Sequence, residues 1–262
     1  MPFVSALYRF PVKGFTEERL PSLTVRADGR IEGDRVLAFR FAEAATPEQQ
    51  DGLDYWPKNR GLALMDFPTL AQIRLRWDGE RVRLERSGAL LAEAGLDPEG
   101  RALLVDAITR FVLDGPDAKL LQRDGRLPLV LVGDGATSRF QDRARGFVSL
   151  HGAASVAAVD AEVEASVDSR RFRSNIVVDG LDAWAELGWT GPLRIGDVCF
   201  EVQRPIGRCL ATHVNPDTGS RDARVLQTLT REIGLAEPTL GILLLPTDGG
   251  GEIREGDEVR LG

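Results

Sequence analysis

Five apolar runs in the second half of the chain are too short to be helices. They are LVLV at 129–132, FVSL at 147–150, NIVV at 175–178, VCFEV at 198–202 and GILLL at 241–245. Runs of this length, rich in Val, Ile and Leu and bounded by turn residues, read as buried strands. The repeated presence of Gly-Asp inside LRIGDVCFEV and IREGDEVRLG adds strand-to-strand turns at 193–202 and 253–262. Two helices fit between the strands. ASVAAVDAEVEAS offers a stripe of Val156, Val159 and Val163, and ARVLQTLTREIG offers Val225, Leu226, Leu229 and Ile233 before a stop at Gly234. The glycine-rich DGGGE at 248–252 lacks the helix and lysine of a phosphate loop and reads as a flexible turn.

The first half predicts strands at 3–12, 35–41, 62–65 and 73–77, and a hairpin through Asp78-Gly79 in WDGERVRLE. A helix follows, with Asp97 as N-cap and Pro98 as its first residue. Its apolar face holds Leu103, Leu104, Ala107, Ile108, Phe111 and Val112. A break at DGPDAK sets an expected boundary, giving domains over 1–116 and 117–262. The expected class is mainly β with some α (α+β), a barrel preceded by a smaller β-rich domain.

With 262 residues the chain can bury one large core or two small ones. Its formal charge of -7 argues against nucleic-acid binding, which needs a basic footprint. No apolar run is long enough to span a bilayer, so no membrane partner is expected. Arg9 and Lys13 interrupt and follow the first apolar stretch, so it is not a secretory signal. Two cysteines cannot make a disulfide framework, and the expected location is the cytoplasm. Within this acidic chain, Arg139, Arg143 and Arg145 cluster, as do Arg170, Arg171 and Arg173. Such clusters suit a small anion, or a solvated face with ion pairs.

The chemistry-bearing residues are few. There is no CxxC, HExxH, GxSxG or GxGxxG, and the two histidines, His151 and His213, lie far apart. A multi-cysteine zinc or iron–sulfur site is excluded by count. A metal bound through one protein thiolate remains open if a cofactor brings the other sulfur ligands. Cys199 sits in a strand and is expected in the core or lining the barrel. Cys209 lies in RPIGRCLATHVNPDTG, after Arg208 and four residues before His213. It is open to three readings: a packed loop residue, a thiol activated by Arg208 or His213, or a metal ligand.

Several ordered elements carry a resemblance: YRFPVKGF and EGDRVLAF near the start, RFRSNIVVDG at 171–180, then LRIGDVCFEVQRPIGRC and THVNPDTG. Together they resemble the MOSC domain proteins, which are related to the C-terminal domain of molybdenum cofactor sulfurases. The first segment is similar to the MOSC N-terminal β-barrel domain, and the arrangement to the amidoxime-reducing components. The resemblance implies a pterin-based molybdenum cofactor (molybdenum–molybdopterin) between two domains. It implies Cys209 as thiolate ligand and catalytic residue. It also implies Lys13, Arg35, Arg173, Asn175, Gly207 and Arg208 as cofactor-binding residues, the cations on the phosphate and the asparagine on the pterin edge. The implied activity is reduction of N-hydroxylated small molecules, with electrons from a separate donor protein. Two alternatives stand beside it: a sulfur carrier using a Cys209 persulfide, and a cofactor carrier without turnover. Gly14, Ile206-Gly207, His151 and His213 depart from the usual pattern, which bears on substrate range.

Overall fold

The short apolar runs become strands of one sheet because each can bury a face against its neighbours. In the computed structural model, which describes residues 1–262, eight strands lie in one sheet. Their order is Val259–Leu261, Gly191–Ile195, Val198–Gly207, Thr239–Pro246, Val148–Gly152, Ile176–Asp179, Phe3–Arg9 and Glu18–Arg19. Only Val148–Gly152 and Ile176–Asp179 run parallel. The helix Ala153–Asp160 lies in the crossover that a parallel pair requires.

The sheet closes into a barrel. Phe3 bridges Glu258, the Val4 N–H donates to the Asp257 carbonyl at 2.8 Å, and the Gly256 N–H donates to the Val4 carbonyl at 2.8 Å. Closure pairs strand edges that would otherwise invite other chains. Leu7, Leu150, Ile176, Phe200, Ile242 and Leu244 fill the interior. A ribbon of Ser22–Arg26 with Gly250–Arg254 adds Leu23, Val25 and Ile253 to the same core. Thus Gly250 and Gly251, expected in a flexible turn, are strand residues. Gly250 has φ +85, and a Cβ there would collide with the Val25 carbonyl, so only glycine lets this ribbon pair.

The second lobe contains the strand pair Ala38–Phe41 and Leu129–Val132, and the three-stranded sheet Ile73–Trp77, Val82–Arg86 and Ala89–Ala94. Helix Pro98–Leu113 packs on it, and Asp97 caps the helix by accepting the Gly100 N–H at 2.9 Å. Its buried face is Leu104, Ile108 and Val112, while Leu103 is exposed. The run at 62–65 forms no strand. The chain turns there, with the Phe67 N–H folding back onto the Ala63 carbonyl at 2.9 Å.

The expected boundary near residue 116 falls just after this helix, but packing does not follow chain order. Phe3–Arg9 and Ser22–Arg26 are built into the barrel, and Leu129–Val132 pairs with Ala38–Phe41 in the other lobe. No helix is long and apolar enough to cross a membrane.

Candidate functional site

A cavity of about 390 Å³ is lined from both lobes. Lys13, Arg35, Arg173, Asn175, Gly207, Arg208 and Cys209 all line it, although they come from four separate stretches of sequence. Each is placed by a local device. Gly14, beside Lys13, has φ +85, and a Cβ there would stand 2.8 Å from the Leu62 carbonyl oxygen. The bare glycine lets the Lys13 turn press against the second lobe. Arg35 and Arg173 are both left-handed, at φ 51 and φ 53, a region that non-glycine residues rarely occupy. The Arg35 Nη2 donates to the Arg173 carbonyl at 3.4 Å, so the two strained residues meet. Cys209 follows the strand Val198–Gly207 and starts a helical turn over Leu210–His213. Its carbonyl accepts the Thr212 N–H and the Thr212 hydroxyl, both at 3.0 Å. The thiol is free and half-buried.

The turn carrying Cys209 is braced from behind. Arg171, buried at 2 % exposure, donates to the His213 carbonyl at 3.1 Å, the Ser166 carbonyl at 2.7 Å and Asp222 at 2.7 Å. Arg170 makes a bidentate pair with Asp217 at 2.8 Å and also holds Asp168. So of the second arginine cluster, Arg170 and Arg171 fix loops. Arg173 sets its guanidinium 4.2 Å from the Phe10 ring centre and donates to the Phe15 carbonyl at 2.6 Å.

The lining holds eight cations, Lys13, Arg35, Lys58, Arg143, Arg145, Arg171, Arg173 and Arg208, against one acid, Asp142. Burial pulls Arg173 down to about 10, with neighbouring Arg35 adding to the effect, and pulls Arg208 down to about 9. Burial likewise lowers Lys13, whose ammonium is held by Asp142 and by the Phe140 carbonyl at 3.2 Å. Burial works against the charge on Asp142, but Lys13, then Lys58 and Arg35, hold its carboxyl well below the usual range. Cations gathered at this density are stabilised by an entering anion.

Asn175 lines the cavity and also has a structural use. Its amide oxygen accepts the Ser149 hydroxyl at 2.8 Å, and its amide nitrogen donates to the Tyr8 carbonyl at 3.1 Å and Asp34 at 3.4 Å. It stitches barrel strands together beneath the cavity. Gln141 is an unforeseen lining residue with an open acceptor, because its buried Oε1 has no partner. A ligand N–H can fill it. Lys58, Tyr55 and Asp142 were also unforeseen, since nothing in the sequence ties residues 55–58 or 142 to residue 13.

The remaining cysteine and histidines stand apart. Cys199, expected in the core or lining the barrel, is only half-buried between the buried Val198 and Phe200, as strand alternation requires. His213 Nε2 accepts the Leu226 N–H at 3.2 Å, and no hydrogen bond joins it to Cys209. His151 is fully buried with both ring nitrogens unpartnered. Burial, aided by Arg208, lowers it to about 3.

No group of three or more His, Cys, Asp or Glu residues could hold a metal ion by itself. A metal at Cys209 must therefore arrive with its own ligands. The site fits a cofactor of that kind: one free thiol, a cationic lining for a phosphate, an open acceptor at Gln141, and room for a small polycyclic group.

A profile of the MOSC domain matches residues 139–260. The chain is 42% identical over 66 residues to the human mitochondrial amidoxime-reducing component 1, covering 25% of this chain and 19% of that protein. It is 35% identical over 117 residues to the mouse protein of that name, covering 41% and 34%. It is 40% identical over 72 residues to the molybdenum cofactor sulfurase of Drosophila mojavensis, covering 27% and 9%. The matches thus span about a third or less of these relatives' lengths. Among solved structures, the YUAD protein of Bacillus subtilis aligns over 99% of this chain and 94% of its own, at 11% identity and TM-score 0.43.

Proposed function

From the MOSC domain that this chain carries over residues 139–260, we propose that it is a molybdenum-cofactor oxidoreductase that reduces N-hydroxylated small molecules. The observation that carries this reading is a free thiol, Cys209, lining a cavity whose eight cations face a single carboxylate. When bound, the cofactor supplies exchangeable two-electron redox chemistry at molybdenum.

The chain's own residues hold and orient. Cys209 supplies one thiolate, presented at the start of a turn that Arg171 ties to the loop bearing Arg173. Arg35, Arg173 and Arg208 present guanidiniums, and Lys13 an ammonium, for the phosphate and for the charge of the sulfur ligands. Because Arg208 already donates to the Phe172 carbonyl at 2.8 Å and the Leu240 carbonyl at 2.8 Å, its orientation is fixed before any ligand enters. Gly207 leaves the wall beside Cys209 open, since nothing lies within 4 Å of a Cβ placed there. Asn175 positions the floor. Electrons come from a separate donor protein.

The test is metal analysis of protein made in a host that synthesises the cofactor, beside Cys209→Ala. Near-stoichiometric molybdenum and pterin, with metal lost or its coordination changed in the variant, is the expected result. A folded protein with neither molybdenum nor pterin overturns the reading. Sulfane sulfur on Cys209 in that protein would point to sulfur transfer instead.

A further inference from the structure

We propose that the mouth of this cavity is an oxyanion subsite, built by Lys58, Arg143 and Arg145, that selects small-molecule substrates bearing a carboxylate or phosphate over neutral ones. The inference rests on the reading of the cavity as the reaction site and adds the class of substrate it takes.

The cavity's cations fall into two groups by what they already hold. Lys13 is held by Asp142 and the Phe140 carbonyl, and Arg35 pairs with Asp34. Arg173 is tied to the Phe15 carbonyl and Arg208 to the Phe172 and Leu240 carbonyls. Lys58, Arg143 and Arg145 line the same cavity yet make no side-chain hydrogen bond or ion pair with the rest of the chain. The one acid among the lining residues is Asp142, which contacts Lys13 and reaches Lys58 and Arg143 only through space.

Some exposed cations of this protein meet acids: Arg83 pairs with Glu85 and Glu93, Arg139 with Asp134, Arg254 with Glu252 and Arg260 with Glu258. Others stand singly in solvent, where they are hydrated. What sets Lys58, Arg143 and Arg145 apart is that they are unpaired together around one cavity. The fold brings Lys58 from one segment and Arg143 and Arg145 from another to a single opening. It also sets Arg204 near Arg143 as a further like charge. These like charges and Lys13 share one lining carboxylate, Asp142, so they repel one another in net, and a bound oxyanion relieves that repulsion. Two guanidiniums favour a planar or tetrahedral oxyanion over a point charge. The Tyr55 hydroxyl lies among them, and Met65, Ile206 and Leu243 give an apolar wall for the body of the molecule. The substrate class is therefore an apolar N-hydroxylated body that also bears an oxyanion.

The experiment compares benzamidoxime with para-carboxybenzamidoxime by calorimetric binding to the purified full chain, loaded with cofactor. It uses wild type and the double variant Arg143→Gln/Arg145→Gln. Wild type is expected to bind the carboxylated compound about tenfold more tightly, with the ratio falling toward one in the double variant and at high salt. Equal affinities in wild type, no binding of either compound, or an unchanged ratio in the variant overturns the subsite. Loss of molybdenum from the double variant also overturns it, because the arginines then serve the cofactor's phosphate. Turnover is scored separately. If neither compound is reduced while the arginine-dependent ratio stands, the reductase reading falls and the subsite remains.

Discussion

The two arginine clusters have the same number of arginines, and the fold treats them in opposite ways. Around residue 170, Arg170 meets Asp168 and Asp217, and Arg171 meets Asp222 and two carbonyls. Around residue 143, only Arg139 has a carboxylate, Asp134 at 3.0 Å, while Arg143 and Arg145 have none. Each cluster has an aspartate beside it in sequence, so local composition does not separate them. What lies opposite does. The segment at 166–173 folds against the turn at 213–222, which supplies Asp217 and Asp222. The segment at 139–146 folds against a cavity whose one acid is engaged by Lys13. An arginine cluster is thus a brace or a binding surface according to the acids that the fold sets against it.

The comparison breaks most visibly at Arg171. Arg171→Ala takes the donor from the His213 and Ser166 carbonyls, while Asp222 keeps the Asn215 amide at 2.7 Å. Its expected cost is about 2 kcal/mol in urea unfolding, the loss of hydrogen bonds from a buried guanidinium. A loss near zero would make the brace ornamental. Next comes the proton that this side of the fold excludes. His151 titrates at about 3 when folded, below its ordinary 6.5, so the unfolded chain takes up the proton first. Its contribution is therefore full above pH 6.5 and lost as pH falls toward 3, at up to about 1.4 kcal/mol per pH unit. His151→Leu should flatten that part of the stability profile, read from urea unfolding above and within the window. The smallest effect sharpens the contrast: Arg143→Gln should change stability by less than about 0.5 kcal/mol, since no partner is lost. A larger loss would show a structural duty for the mouth cations.

Much of the barrel was legible because apolar runs of four or five residues leave little choice but strand. The helix capped by Asp97 was legible for a similar local reason. The errors lie where a distant neighbour decided the outcome. Gly250 and Gly251 look like a loop until Val25 and Arg26 arrive to pair with them. Leu62 to Met65 look like a strand, but only Leu62 bonds a neighbouring strand, its N–H donating to the Phe39 carbonyl at 2.9 Å, before the chain turns away. Cys199 reads as a core or barrel-lining residue from its apolar run, but its neighbours Val198 and Phe200 take the inward face. At the site, sequence motifs gathered the residues that line the cavity, yet not what each side chain does there. Asn175 is held by Ser149, Tyr8 and Asp34, and Asp142 reaches across to Lys13. The left-handed backbone of Arg35 and Arg173 has no signature in residue type at all.

The barrel seam, where Phe3 meets Glu258, also has a kinetic meaning. A contact between residues so far apart in sequence raises the contact order, and chains with high contact order fold slowly. During synthesis the first strand must wait, unpaired at this edge, until the segment carrying Asp257 and Glu258 has left the ribosome. Asn175 can donate to the Tyr8 carbonyl only once that strand is docked. That docking is onto Ile176–Asp179, on the strand's other edge, so the floor of the cavity can form before the seam closes.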